Sequence, residues 1–258
     1  MALSASVISE LATIVDDAMR NAADIVKLTD AHPDMDVGDG YAVQAEQCRR
    51  WQADGRRLTG YKAGLTSKAK MVQMGLETPV FGVLMGDTCV SDGDVVDMTQ
   101  RIHPKVEAEI AFVTASELSG DVSIDDVLAA TEFVLPAIEV IDSRFKDFKF
   151  DIQSVIADNT SAARYVVGGS PRRPEGLDLR LLGVVMERNG EVVGAAAGAA
   201  VMGHPAASVV ELVRWLAGAG QALPAGSLVM TGGVTEAVAV HAGDHSFEHA
   251  RWNVVPGL

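Results

Sequence analysis

Apolar positions recur at helical spacing in the first part of the chain and give way to short alternating runs after it. Val7, Leu11, Ile14, Val15 and Met19 fall on one face of a 3.6-residue repeat, which predicts a helix over about 6–26. A second helix is predicted over 39–54, ended by Gly55, with Thr29 to Asp34 as the loop between. Residues 1–57 therefore read as a helical N-terminal subdomain. From Leu58 the texture is that of strands, predicted near 58–65, 80–84, 94–97, 106–113, 133–141, 163–167, 182–187, 191–196, 228–231 and 237–241. Arg188-Asn189-Gly190 is a hairpin turn between the seventh and eighth of these. Helices are predicted at 67–74, capped by Thr66 or Ser67, at 123–132 and at 205–219. No fixed-period repeat is present, and the order is not a strict β-α-β alternation. The expectation is an α+β fold, a mixed β core over 58–258 with flanking helices, not a doubly wound parallel sheet.

Composition narrows the function classes. The 258 residues, 48% hydrophobic and 22% charged, suit a globular chain, and the formal net charge is −14. That acidity argues against nucleic acid or an anionic membrane as partner. An anionic substrate would need a local cation. Cys48 and Cys89 have no metal-like spacing and read as reduced thiols. The start has no basic segment followed by an apolar core, and no stretch is long enough to span a bilayer, so the reading is cytoplasmic.

The candidate chemistry lies in acids. Glu107 and Glu109 sit two apart in a strand pattern, so both point to one side. They read either as the solvated face of an edge strand or as half of a site. Glu139 tips the balance, because its run, Val134 to Ile141, is apolar on both faces, where a carboxylate is costly without a counter-charge. Three converging acids suggest a hard divalent ion held by oxygens, Mg²⁺ or Mn²⁺. Lys62, between Gly60 and Gly64, is either an exposed strand lysine or a group that binds a carboxylate or moves a proton. Arg144 is either a surface partner of Asp142 or a fork for a substrate carboxylate. Asp158 to Ser161 is either a turn or a pocket lining. His241, His245 and His249 have helical spacing across a turn-like segment, so a histidine metal site is not expected. Thr231-Gly232-Gly233 lacks a phosphate-loop pattern, and no nucleophile motif is present.

Four segments resemble a known family: Gly60-Tyr61-Lys62-Ala63-Gly64-Leu65-Thr66-Ser67-Lys68, His103 to Ala111, Pro136 to Arg144, and Ala157-Asp158-Asn159. Together they resemble the hydratase/decarboxylase family of the fumarylacetoacetate hydrolase superfamily, over about residues 5–244. The resemblance implies a β-sandwich or roll with a helical N-terminal part. It implies Glu107, Glu109 and Glu139 as metal ligands and Lys62 as a catalytic or substrate-binding residue. Arg144, Asp158 and Ser161 are carried as substrate-binding candidates. It also implies a 2-oxo acid substrate, a homo-oligomer and association with a partner hydratase. Phe148 to Val155 and Met230 to Thr235 are more similar to the decarboxylase branch, which acts on 2-oxo-3-hexenedioate, than to the hydratase branch. A C–C hydrolase would need a base to activate water, and no Glu-His pair is identifiable. A non-enzymatic scaffold subunit is the remaining rival. The tail after Asp244 departs from the family pattern.

Overall fold

A computed structural model of the chain describes residues 2–241, 243 and 244, and the backbone of Phe247–Glu248. Two capped helices open it. α1 (Ala5–Asn21) starts on Ser4, whose hydroxyl accepts from the Val7 N–H, and stops at Ala22 in the left-handed region, short of the predicted end. α2 (Val37–Ala53) begins earlier than predicted because Asp36 and Asp39 form a reciprocal capping box. The two helices bury Leu11, Ala12, Val15 and Val43 against Phe145 and Ala157 from the middle of the chain. Buried amides fasten α2 to what lies beneath it: Gln44 donates to the Phe81 and Ile156 carbonyls, and Gln47 to that of Ala157.

The core is a seven-stranded sheet ordered β2 (Val80–Met85), β1 (Leu58–Gly64), β8 (Leu228–Met230), β3 (Lys105–Thr114), β4 (Thr131–Ile141), β5 (Ala162–Val167), with β9 (Val238–Ala239) added to β3. All its pairs are antiparallel except β1 with β8. The close approach of β8 explains Gly60, since a Cβ there would stand 1.8 Å from the Leu228 carbonyl oxygen. A smaller sheet joins β10 (Phe247–Glu248), β6 (Gly183–Arg188) and β7 (Glu191–Ala197). This is the mixed β core expected from the sequence.

Parity along β3 sorts the two faces. Val106, Ala108, Ile110 and Phe112 pack outward with Val209, Leu212, Val213 and Leu216 of α6 (Pro205–Gly218). Ala111 points the other way, into a small apolar group with Leu84, Ala137, Tyr165 and Met230. α6 starts on His204, whose Nδ1 accepts from the Ala206 N–H at 3.0 Å, with Pro205 in the first turn. Burial lowers the His204 pKa and so favours that neutral acceptor.

Some boundaries differ from expectation. Residues 94–97 form no strand: the chain turns at Asp92-Gly93, and Asp97 caps a 3₁₀ turn, Met98–Gln100. The helix predicted over 123–132 is only α4 (Ile124–Ala129), because β4 already claims Thr131 onward. The strand over 237–241 shrinks to Val238–Ala239. Two six- and seven-residue helices also flank the site: α3 (Lys68–Met74), as predicted, and α5 (Ile152–Ala157), capped by Asp151 and not foreseen. His245, His249 and the divergent tail lie outside the described residues, apart from the β10 backbone.

Candidate active site

β3 and β4 pair without a register break from Lys105 to Val113, which sets Glu107 directly opposite Glu139 and Glu109 opposite Ala137. Like charges face to face across a strand pair destabilise a bare sheet. Here all three acids share the inner face, and one carboxylate oxygen from each lies within 4.8 Å of the others. Glu109 and Glu139 are each 1% exposed, so the solvated-face account fails for them. Glu107 is the open side of the group, its side chain 12% exposed.

Lys62 reaches into the cluster from β1. Its Nζ lies 3.0 Å from Glu139 Oε2, in an ion pair too oblique for a good hydrogen bond, and donates to the Thr160 carbonyl at 3.1 Å. Burial acts to strip the lysine of its proton, but Glu139, Glu109 and Glu107 more than offset it, and its pKa is raised. Lys62 is therefore a buried ammonium, not an exposed strand lysine. Burial and the neighbouring Glu139 hold Glu109 well above the ordinary carboxylate range. Burial also raises Glu139, with Lys62 pulling the other way.

The arrangement fits a hard dication. Three carboxylates and one ammonium leave a formal −2, which one divalent ion cancels. Glu109 Oε1 and Glu139 Oε1 are buried and accept no hydrogen bond among the described residues. Such orphaned oxygens are costly unless something positive meets them. The donor set, oxygen only, is that preferred by Mg²⁺ or Mn²⁺.

Two contributors escaped the sequence reading, and a third was only half read. The Thr231-Gly232-Gly233 segment, set aside as a poor phosphate loop, closes over the acids: the Gly232 N–H donates to Glu109 Oε2 at 2.9 Å. A Cβ on Gly232 would strike Thr66 Oγ1 at 2.2 Å, and one on Gly233 would stand 2.9 Å from Glu107 Cδ. Adjacent glycines after a short buried strand were the available signal. Lys70 of α3 lies 3.7 Å from Glu107 Oε1 with its side chain half in solvent. Thr160, inside the segment read as either a turn or a pocket lining, supplies the carbonyl that holds Lys62.

Arg144, Asp158 and Ser161 are placed otherwise than a substrate fork requires. The Arg144 guanidinium is buried, its Nε paired with Asp158, its remaining contacts made to the carbonyls of Asp142, Ala162 and Asp158. The surface pair with Asp142 also fails, because that carboxylate accepts the N–H groups of Ile102 and His103. Ser161 donates to Asp158 Oδ2 at 3.3 Å. These three are joined to one another and not to the acid cluster.

With this geometry in place, comparison with known proteins is decisive for the family. The model described as fumarylacetoacetate (FAA) hydrolase C-terminal matches residues 38–250. The chain belongs to the fumarylacetoacetate hydrolase family. Within that family it is 54% identical to a 4-oxalocrotonate decarboxylase of Pseudomonas sp. (strain CF600), over 91% of this chain and 89% of that one. It is 39% identical to a 2-keto-4-pentenoate hydratase of Paraburkholderia xenovorans (strain LB400), over 91% and 88%. The solved 4-oxalocrotonate decarboxylase from Pseudomonas putida G7, complexed with magnesium and adipate, superposes with a TM-score of 0.92 at 50% identity, covering 94% of this chain and 93% of that one.

Proposed function

We propose that this chain is a Mg²⁺-dependent lyase that decarboxylates 2-oxo-3-hexenedioate (4-oxalocrotonate) to 2-hydroxy-2,4-pentadienoate. The observation that carries the reading is the buried acid trio with orphaned oxygens beside a buried ammonium. Its support among relatives is the higher identity to decarboxylases than to hydratases. Glu107, Glu109 and Glu139 would hold the metal, which supplies Lewis-acid stabilisation of negative charge on the 2-oxo acid.

The chain's own residues do the rest. The C5–C6 bond breaks and CO₂ leaves. Its electron pair becomes the C4–C5 double bond, the C3–C4 pair moves to C2–C3, and the carbonyl pair moves onto the 2-oxo oxygen. Lys62, kept charged by its acids and fixed by the Thr160 carbonyl, donates the proton to that oxygen and recovers one from water. Tyr165, Met230, Ala111 and Ala137 form an apolar wall on the same face, where a developing charge is felt strongly.

The test is incubation of the purified protein with the enedioate and Mg²⁺, following CO₂ and the dienol. Consumption of water without CO₂ would instead mark a hydratase, and turnover that survives chelation would sink the metal assignment. Lys62→Met is expected to lower kcat by about 10² or more, the usual worth of a positioned acid, without weakening Mg²⁺ binding. The reading extends to a homo-oligomer that passes its product to a partner hydratase. Its support is chemical: the dienol is the enol tautomer of the 2-keto-4-pentenoate for which one relative is named. Sizing of the protein alone and mixed with such a hydratase tests it.

A further inference from the structure

We infer that Lys105 is the specificity residue for the second carboxylate of the substrate. The inference rests on the oxo-acid reading above, which uses one end of the molecule and leaves the other end to be recognised. A dicarboxylate entering a chain of net charge −14 needs a cation there as well.

The cations near the acid cluster are mostly committed. Lys62 is held by Glu139 and the Thr160 carbonyl, Lys70 lies beside Glu107, and the Arg144 guanidinium is used by Asp158 and three carbonyls. Lys105 differs. It lies two residues before Glu107 on β3, with unbroken pairing to β4, so it shares the inner face with Glu107 and Glu109. It is half-buried, and among the described residues no carboxylate forms an ion pair with it. Its Nζ sits 4.0 Å from the centroid of the Phe148 ring. A ring face steadies an ammonium without neutralising it, which leaves the charge available to an anion.

The ring is itself held in place. His103 stacks on Phe148 with centroids 4.8 Å apart, and the His103 N–H is anchored to Asp142 at 2.8 Å. Asp147 and Phe148 take φ of 56° and 58°, an uncommon conformation for a bulky aromatic residue. The His103 Nε2 atom is buried without a partner among the described residues and adds a second polar group to the patch. The spacing also suits the ligand. Two strand residues span about 6.6 Å at roughly 3.3 Å each. The terminal carboxyl carbons of an extended six-carbon diacid lie about 6–7 Å apart, given C–C bonds of roughly 1.5 Å.

Lys105 acts on binding and orientation. The carboxylate it holds loses its charge as CO₂ departs, so the contact is no stronger in the transition state than in the ground state. Loss of Lys105 therefore raises KM and leaves kcat little changed.

The test is titration calorimetry of the Mg²⁺-loaded protein with 2-oxoadipate and with 2-oxohexanoate, which differ only in the far carboxylate. The unmodified protein is expected to bind 2-oxoadipate the more tightly. Lys105→Met, which keeps the side-chain length, should erase about tenfold or more of that preference while leaving 2-oxohexanoate unaffected, and Lys105→Arg should restore part of it. A Lys105→Met protein that keeps the full preference overturns the inference alone. If neither acid shows Mg²⁺-dependent binding to the unmodified protein, the oxo-acid site itself is wrong and the inference falls with it.

Discussion

Replacing Arg144 by methionine removes a guanidinium that bonds to Asp158 and to carbonyls at the end of β4, the end of α5 and the start of β5. Arg144 and Asp158 side chains are 3% and 0% exposed, so neither has water to fall back on. Breaking one partner of such a buried pair costs about 3–5 kcal/mol, which for a chain of this size is a loss of about 10 °C in Tm. Protonation limits the cost. Burial already pushes the Asp158 carboxyl from 3.8 up to about 6, with Arg144 pulling it down. A folded pKa above the unfolded one means that this group's contribution is full below about 3.8 and is lost as pH rises through about 6. Without Arg144 the carboxyl rises further and the loss continues to higher pH. Urea unfolding at pH 6 and pH 8 should therefore show a deficit for Arg144→Met that is larger at pH 8. The double variant Arg144→Met/Asp158→Leu should recover much of it. A variant within about 1 kcal/mol of the parent, with a raised KM, would refute this and return Arg144 to the substrate.

Gly233→Ala places a Cβ against the carboxylate of Glu107, proposed above as a metal ligand, and disturbing it in this way should cost about 10–100-fold in metal affinity. Calorimetry with Mg²⁺ reads it directly, and unchanged affinity would count against Glu107 as a ligand. Gly82→Ala places a Cβ 2.5 Å from Thr160 Oγ1 and 2.9 Å from the Asn159 carbonyl oxygen. It should cost about 1–3 kcal/mol of stability by overpacking and should lower kcat, because the Thr160 carbonyl no longer meets Lys62. Normal thermal unfolding and normal turnover together would contradict that geometry.

The acid site was legible because strand parity alone aligns Glu107 with Glu109, and because Glu139 stood in a run with no polar face to occupy. Register then did what local pattern cannot, setting Glu139 opposite Glu107. The wider shell was illegible for physical reasons. Arg144 finds Asp158 fourteen residues away because the connection between antiparallel β4 and β5, which carries α5, returns to the end of β4, and a six-residue helix is too short to show a period. Residues 94–97 hold the β-branched pair Val95-Val96 that favours a strand, but capping by Asp97 offered the backbone a nearer partner than any sheet. Gly232 and Gly233 carry no signal by side chain at all. Their role lies in what a Cβ would collide with, which is a property of the fold.

The least legible element is the one that ties strain to chemistry. Asn159, Thr160 and Ser161 take φ of 47°, 52° and 61° in succession. Each such non-glycine residue costs about 1–2 kcal/mol, and threonine is a poor choice for it because it is β-branched. The offset is visible in the contacts. The Asn159 carboxamide accepts from the Val83 N–H at 2.8 Å and donates to the Val83 carbonyl at 3.0 Å, as a neighbouring strand would. Gly82 lets this segment lie directly on β2. Had α5 simply continued, the Thr160 carbonyl would have been drawn to an amide four residues on. The left-handed turn frees it for Lys62 at 3.1 Å. A buried ammonium facing acids still needs a neutral acceptor to fix its direction, and the fold accepts backbone strain at the residue that supplies one.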